Sequence, residues 1–68
     1  MMNREHGSPF DRGSADSWYG RPQDPHWYPE GTYKGKRVEM LEMTESQIRE
    51  YLEGYEYNEK FGGKKSYE

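Results

Sequence analysis

The sequence contains no cysteine, so it offers no disulfide, no thiolate nucleophile and no cysteine-type zinc site. Aliphatic side chains are also scarce, because isoleucine, leucine and valine occur only at Val38, Leu41, Ile48 and Leu52. A chain of 68 residues buries only about 60% of its unfolded surface, which leaves room for one small domain. We expect that domain to span residues 8–63, between flexible tails at 1–7 and 64–68.

Long apolar runs are missing as well, and the N-terminal residues are polar. We therefore expect neither a transmembrane helix nor a secretory signal. These absences favour a cytoplasmic protein without membrane contact.

Aromatic residues, in contrast to aliphatic ones, are plentiful. The chain has eleven, and seven of them are tyrosine. Each can remove roughly 150–250 Å² from water when buried, so we expect an aromatic core. Because tyrosine hydroxyls need a hydrogen-bond partner or water, that core should be thin with a polar rim.

A first helix is predicted to begin at Ser8–Pro9, where serine caps free amides, proline tolerates the first turn and Asp11 suits the helix dipole. It should run to about Tyr19 and stop at Gly20. Gly13 lies inside it and weakens it by about 1 kcal/mol relative to alanine.

The segment between the helices contains three prolines in Arg21–Gly31, which predict a loop. Alternation of apolar and charged residues around Gly35 predicts a short β-hairpin over 32–41.

A second helix is predicted over residues 44 to about 60. Thr44 and Gln47 have the spacing of a capping box, and Gly62 follows the helix. Its apolar stripe, expected to face a cluster that includes Trp18 or Tyr28, consists of Ile48, Tyr51, Leu52 and Tyr55. The chain is thus predicted to be small α+β, with two helices separated by the aromatic loop and the hairpin. The alternative is an all-α hairpin of two helices.

Catalytic chemistry is not indicated. The two histidines, His6 and His26, are too far apart in sequence for a helical metal pair, and no serine lies in a nucleophile motif. A fold of this size can hardly enclose a catalytic pocket. We therefore expect a protein that is not an enzyme and that has no cofactor and no metal.

The most informative segment is WYGRPQDPHWY, residues 18–28. Tryptophan, tyrosine and arginine dominate interface hot spots, and aromatic rings stack on bases. The predicted partner-binding residues are Trp18, Tyr19, Arg21, His26, Trp27 and Tyr28. The same rings are needed for the core, so we expect Trp18 and Tyr28 to be largely buried and Arg21, His26 and Trp27 to be partly exposed.

The second helix also has an acidic face, formed by Glu45, Glu50, Glu53 and Glu56. One interpretation is an ordinary solvated helix surface. The other is a functional surface that imitates nucleic-acid phosphates and docks on a basic partner.

The segments PFDRGSADSWYGR, DPHWYPEGTYKG and MTESQIREYLEGYEYNEKFGGKK together resemble a group of small, functionally uncharacterised proteins of tailed bacteriophages. The resemblance covers residues 8 to 65. It implies a phage accessory protein in the bacterial host cytoplasm, and it implies no chemistry.

A less extensive resemblance is to the ribosome modulation factor family, which has a two-helix fold and binds ribosomes. The residues that carry it are Gly13, Ala15, Gly20, Arg21, Pro25, Tyr51, Gly54 and Tyr55. It implies helices paired around small residues. That family is strongly basic, whereas this chain has a net charge of −3.

The sequence thus leads to two functional hypotheses. The first is a non-enzymatic phage-type accessory protein that binds a bacterial host protein through the aromatic loop and the acidic face. The alternative is a ribosome- or RNA-binding protein. It requires one basic patch, because dispersed cations would not release enough counterions. The cations concerned are Arg12, Arg21, Lys34, Lys36 and Arg37.

Overall fold

The computed structural model describes residues 6–32 and 35–65. Two helices flank a two-stranded antiparallel sheet, so the small α+β prediction is confirmed. The elements are α1 at Pro9–Trp18, β1 at His26–Trp27, β2 at Val38–Glu39, a 3-10 turn at Met40–Glu42 and α2 at Glu45–Phe61. The outer parts of the predicted tails, residues 1–5 and 66–68, and the hairpin residues 33–34 lie outside the described residues. Neither described helix is both long and apolar enough to cross a membrane.

Helix α1 begins as the sequence predicts. The Ser8 hydroxyl accepts a hydrogen bond from the Asp11 amide at 3.3 Å, and Pro9 occupies the first helical turn. The last helical residue is Trp18, one before the predicted end, and Gly20 adopts a φ of 70° just beyond it.

Helix α2 has a complete capping box. The Gln47 amide donates to the Thr44 hydroxyl at 3.2 Å, and the Thr44 amide donates to the Gln47 side chain at 3.0 Å. The helix continues to Phe61 and ends at Gly62, whose amide donates to the Asn58 carbonyl. The predicted bounds are confirmed to within a residue.

The predicted hairpin is wrong in one respect, because the partner of β2 lies outside residues 32–41. Strand β2 pairs with β1, with Trp27 opposite Val38 and His26 opposite Glu39. Pro25 lies directly before β1, a position where proline takes no amide out of the pairing between the strands. The proline-rich segment therefore supplies a strand as well as a loop.

The two helices cross at two glycines. A Cβ atom on Gly13 would lie 1.9 Å from the Tyr51 carbonyl oxygen, and one on Gly54 would lie 2.1 Å from that of Phe10. No side chain fits at either position. Gly13 has a low helix propensity, but a residue without a side chain is needed here because the helix backbones approach so closely.

The buried apolar residues confirm a thin aromatic core. They are Phe10, Tyr28, Met43 and Tyr51. Tyr51 is fully buried, and its ring centroid lies 5.7 Å from that of His26. The polar residues buried beside them are Ser8, Arg12, Asp16, Ser17, His26 and Asn58.

The predicted apolar stripe of α2 is only partly correct. The buried line of the helix runs through Tyr51, Gly54 and Asn58, whereas Leu52 is 37% exposed. Ile48 and Tyr55 are half-buried. Because the glycine crossing brings the backbones together along that line, α2 is rotated so that Leu52 turns toward solvent.

The inner residues of both predicted tails contact the domain. The Tyr28 amide donates to the Gly7 carbonyl at 2.8 Å, and the Lys65 amide donates to the Trp18 carbonyl at 2.7 Å. Gly7 has a φ of 93°, and a Cβ there would lie 2.7 Å from the Tyr28 carbonyl oxygen. Contacts that position the loop thus extend beyond residues 8–63.

Candidate functional site

The six predicted partner-binding residues divide into an exposed and a buried group. Trp18 is 42% exposed, Tyr19 is 38% exposed and the Arg21 side chain is also exposed. His26 and Tyr28 are buried, and Trp27 is half-buried. We refer to Trp18, Tyr19 and Arg21 as the Trp18 surface.

Two of the burial predictions are wrong. Trp18 was expected in the core, but it is the last residue of α1, and its ring lies beside Gly63 beyond the end of α2. His26 was expected to be partly exposed, but both of its ring nitrogens have hydrogen-bond partners inside the protein. The predictions for Tyr28, Arg21 and Trp27 are confirmed.

The Trp18 surface is held in place by backbone hydrogen bonds. The Gly20 amide donates to the Ser17 carbonyl at 3.0 Å, and the Arg21 amide donates to the Asp16 carbonyl at 2.8 Å. The Arg21 guanidinium lies 4.8 Å from the centre of the Tyr19 ring, and the Lys65 ammonium lies 5.1 Å from it. Cations at this distance are attracted to the ring face.

The contacts between the end of α1 and the residues at and beyond the end of α2 are polar. Asn58 donates to the Ser17 hydroxyl at 2.9 Å and to the Gly63 carbonyl at 2.9 Å, while Lys64 donates to the Ser17 carbonyl at 3.1 Å. Lys64 also bonds Glu59. This bond, followed by the bond from Ser17, holds the pKa of the Glu59 carboxyl below its usual value.

Beneath the loop, Asp16 is the centre of a buried polar network. One of its carboxylate oxygens, Oδ2, accepts the Tyr51 hydroxyl, and Oδ1 lies 4.0 Å from Arg12 and 3.4 Å from Arg21. The Tyr51 oxygen also accepts the Asp24 amide at 3.0 Å. We call these groups, together with His26, the Asp16 network. It connects α1, α2 and the loop.

Both ring nitrogens of His26 have hydrogen-bond partners in this network. Its Nδ1 lies 2.6 Å from the Asp24 carbonyl oxygen, which can only accept, so Nδ1 carries the proton. Nε2 then accepts the Arg12 Nε–H at 3.2 Å. This tautomer satisfies both ring nitrogens, so the buried imidazole serves to fix Arg12 and the loop.

Trp27 contributes to both the fold and the surface. It pairs with Val38 in the sheet, and its indole Nε1 is buried with no hydrogen-bond partner among the described residues. Its ring is half-buried, so Trp27 is less available than Trp18 as an anchor for a partner.

An open cavity of about 360 Å³ lies over the Asp16 network. We call it the arginine pocket, and its lining residues are Arg12, Asp16, Arg21, Pro22, Asp24, His26, Tyr28 and Arg37. Of the five cations that an RNA-binding patch requires, three thus share one cavity. Lys36 instead pairs with Glu42 at 3.2 Å, and Lys34 lies outside the described residues.

On the acidic face of α2, Glu45, Glu53 and Glu56 are exposed and Glu50 is half-buried. Lys60 pairs with Glu56 at 2.9 Å, which offsets part of the negative charge. No group of three histidine, aspartate or glutamate side chains within residues 6–32 and 35–65 is arranged to hold a metal ion.

The sequence alone does not indicate that Arg12, Asp16, Tyr51 and Arg37 are parts of one site. Arg12 and Asp16 are four residues apart on α1, which is a weak signal of an ion pair. The contribution of Tyr51 from α2 and of Arg37 from the second half of the chain depends on the tertiary fold.

The Asp16 network predicts a loss of stability at alkaline pH. Burial, and then the bond to Asp16, raise the pKa of the Tyr51 hydroxyl above its usual range. Unfolded Tyr51 ionises near pH 10 while the folded form keeps its proton. The contribution of the Tyr51 hydroxyl to the free energy of unfolding is therefore fully present below about pH 10. Above that pH it decreases by up to about 1.4 kcal/mol per pH unit.

Urea unfolding midpoints measured from pH 8 to pH 11 check this prediction. Tyr51→Phe removes the titrating group, so its midpoint should fall less steeply above about pH 10 than that of the wild type. Parallel curves for the two proteins would show that Tyr51 does not keep its proton in the folded state.

Comparison with protein-family models, curated proteins and solved structures found no match to this chain.

Proposed function

We propose that the chain is a non-enzymatic accessory protein that binds another protein through the Trp18 surface. Trp18, Tyr19 and Arg21 make the contacts. His26 and Tyr28 are buried farther along the same segment and hold it to the domain, and Trp27 contributes the exposed part of its ring.

The observation that supports this proposal most is the exposure of Trp18 and Tyr19 on a fixed backbone. Both side chains are more than a third exposed although the chain has few apolar residues for its core. Tryptophan, tyrosine and arginine are the residue types enriched in hot spots. Because hydrogen bonds already fix residues 18–21, little conformational entropy is lost when a partner binds.

The acidic face of α2 is the second part of the proposal. Glu45, Glu53 and Glu56 project into solvent along one rigid helix. Such a negative surface steers a basic region of the partner during encounter, and its contribution decreases as salt is raised. Assignment of the partner to a bacterial host, and of the chain to the host cytoplasm, rests on the phage resemblance alone.

A ribosome- or RNA-binding protein is the second candidate. The arginine pocket favours it, because it brings Arg12, Arg21 and Arg37 to one cavity. The ion pairs in the cavity oppose it, since Asp16 and Asp24 compete with phosphates for the same guanidinium groups.

Capture from bacterial lysate with the full chain as bait distinguishes these candidates. We expect Trp18→Ala to weaken binding of the captured protein by about 2 kcal/mol, or roughly 30-fold, because an exposed aromatic anchor is lost. Leu41→Ala is the matched control. Leu41 is 94% exposed and precedes the opposite end of α2, so its removal should leave capture unchanged.

Nuclease treatment of the lysate completes the test. Capture that resists nuclease and depends on Trp18 supports protein binding. Capture that disappears with nuclease supports the RNA-binding alternative. If Trp18→Ala and Leu41→Ala retain equal amounts of partner, the Trp18 surface is not the binding site.

A further inference from the structure

Helix α2 has one face that is exposed from its first turn to its last. We call it the α2 stripe, and its residues are Glu45, Arg49, Leu52, Glu56 and Lys60. Spacings of three and four residues place these side chains in one row along the helix. The row lies opposite the buried line through Tyr51, Gly54 and Asn58, so the rest of the domain does not cover it.

The charges of the α2 stripe alternate in sign. From the start of the helix they are negative at Glu45, positive at Arg49, negative at Glu56 and positive at Lys60. Glu56 pairs with Lys60 at 2.9 Å, whereas neither Glu45 nor Arg49 has an ion-pair partner within residues 6–32 and 35–65. Leu52 lies at the centre of the stripe and is 37% exposed, although the chain has few aliphatic side chains.

This order of charges is complementary to itself when two α2 helices lie antiparallel. Glu45 then faces Lys60 of the second copy, and Arg49 faces Glu56 of the second copy. Both pairs form at a single register, because they are centred on the same point of the helix, and that register brings the two Leu52 side chains together near the two-fold axis. A parallel arrangement would instead place like charges beside each other.

We propose that the α2 stripe is an interface between two copies of this chain, which associate through antiparallel α2 helices. Every contact in a two-fold interface is made twice, so the two copies form four ion pairs around the Leu52 contact. One face of a helix about 25 Å long is smaller than a standard stable interface. We therefore expect a weak dimer, with a Kd of about 0.1–1 mM, that weakens as salt is raised.

This self-association does not depend on the proposed binding of another protein. None of the residues of the Trp18 surface belongs to the α2 stripe. Because so weak a dimer dissociates at low concentration, the acidic face remains available to a partner in the monomer.

Sedimentation equilibrium of the full chain at low salt, from about 20 µM to about 2 mM, measures the association. We expect the average mass to rise from the 8.2 kDa of one chain towards twice that value, and to return to that of the monomer in about 0.5 M salt. Trp18→Ala should give the same curve as the wild type. Failure of partner capture and failure of self-association are therefore separate results.

Charge reversals test the register. Arg49→Glu and Glu56→Arg should each weaken the dimer about tenfold or more, because each places like charges opposite each other. An equal mixture of the two variants should associate again, since every reversed charge then faces one of opposite sign. Lys36→Glu makes the same change in net charge as Arg49→Glu, at an exposed ion pair outside α2, and should leave the association unchanged.

Circular dichroism checks that each variant keeps α2. If Glu56→Arg does not fold, Glu45→Arg and Lys60→Glu provide the same comparison at the outer ion pairs. The proposal is overturned if the wild type is still monomeric at about 2 mM, or if Lys36→Glu or Trp18→Ala weakens association as much as Arg49→Glu. It is also overturned if the mixture of complementary variants stays monomeric at concentrations where the wild type associates.

Discussion

Gly54→Ala is expected to destabilise the protein by about 3 kcal/mol or more, although alanine is the better helix former by about 1 kcal/mol. The added methyl group would lie 2.1 Å from the Phe10 carbonyl oxygen, a backbone atom that cannot move without separating the helices. Small domains rarely have more than about 3–5 kcal/mol of stability, so this substitution should remove most of it. Urea unfolding followed by circular dichroism measures the change.

Gly63→Ala is the control for this substitution. A methyl group there would lie 3.2 Å from the edge of the Trp18 ring, and a side chain can adjust. We expect a change within about 1 kcal/mol. An unfolding midpoint for Gly54→Ala at or above that of the wild type would mean that the helices do not cross at this glycine.

Asp16→Asn should have an effect of similar size, about 3–5 kcal/mol, although it changes one atom. It removes the buried negative charge that Arg12 and Arg21 both approach, and it weakens the acceptor of the Tyr51 hydroxyl. Removal of one partner from a buried ion pair is costly because the remaining charge stays desolvated. The free energy of unfolding near neutral pH provides the measurement.

Glu42→Gln makes the same chemical change at an exposed ion pair with Lys36. Exposed pairs contribute about 0–1 kcal/mol, so this variant should be nearly as stable as the wild type. Equal losses from Asp16→Asn and Glu42→Gln would contradict the view that the Asp16 network holds the helices and the loop together.

Local signals in the sequence were sufficient to predict both helices. The capping box of Thr44 and Gln47 and the Ser8–Pro9 start involve residues within one turn, and the structure confirms both. The position of β1 could not be predicted in this way. Two-residue strands have no periodicity, and the pairing of β1 with β2 depends on contacts far apart in sequence.

The rotation of α2 was also beyond a sequence pattern. The spacing of apolar residues gives Leu52 the same weight as Tyr51, but the crossing at Gly13 and Gly54 selects the line through Tyr51 and Asn58. In the sequence, a glycine within a helix indicates only a weak helix former. The folded structure is needed to show that the backbone of the other helix leaves no room for a side chain.

For the candidate site, the sequence predicted a segment, but it did not predict which side chains of that segment are exposed. Composition alone does not distinguish a hot-spot histidine from a buried one, and His26 is buried because Arg12 lies against it. The scarcity of aliphatic residues predicts that Trp18 lies in the core. Buried polar groups such as Asp16 and Asn58 occupy part of that space instead.

Hydroxyl-radical footprinting of the chain, free and bound to its captured protein, tests the proposed binding surface most directly. Trp18 and Tyr19 should be oxidised in the free protein and protected in the complex. Met40 and Leu41 lie beyond the opposite end of α2, a helix of 17 residues and therefore about 25 Å long, and should be oxidised equally in both. Protection of Met40 and Leu41 with no protection of Trp18 and Tyr19 would contradict binding through the Trp18 surface.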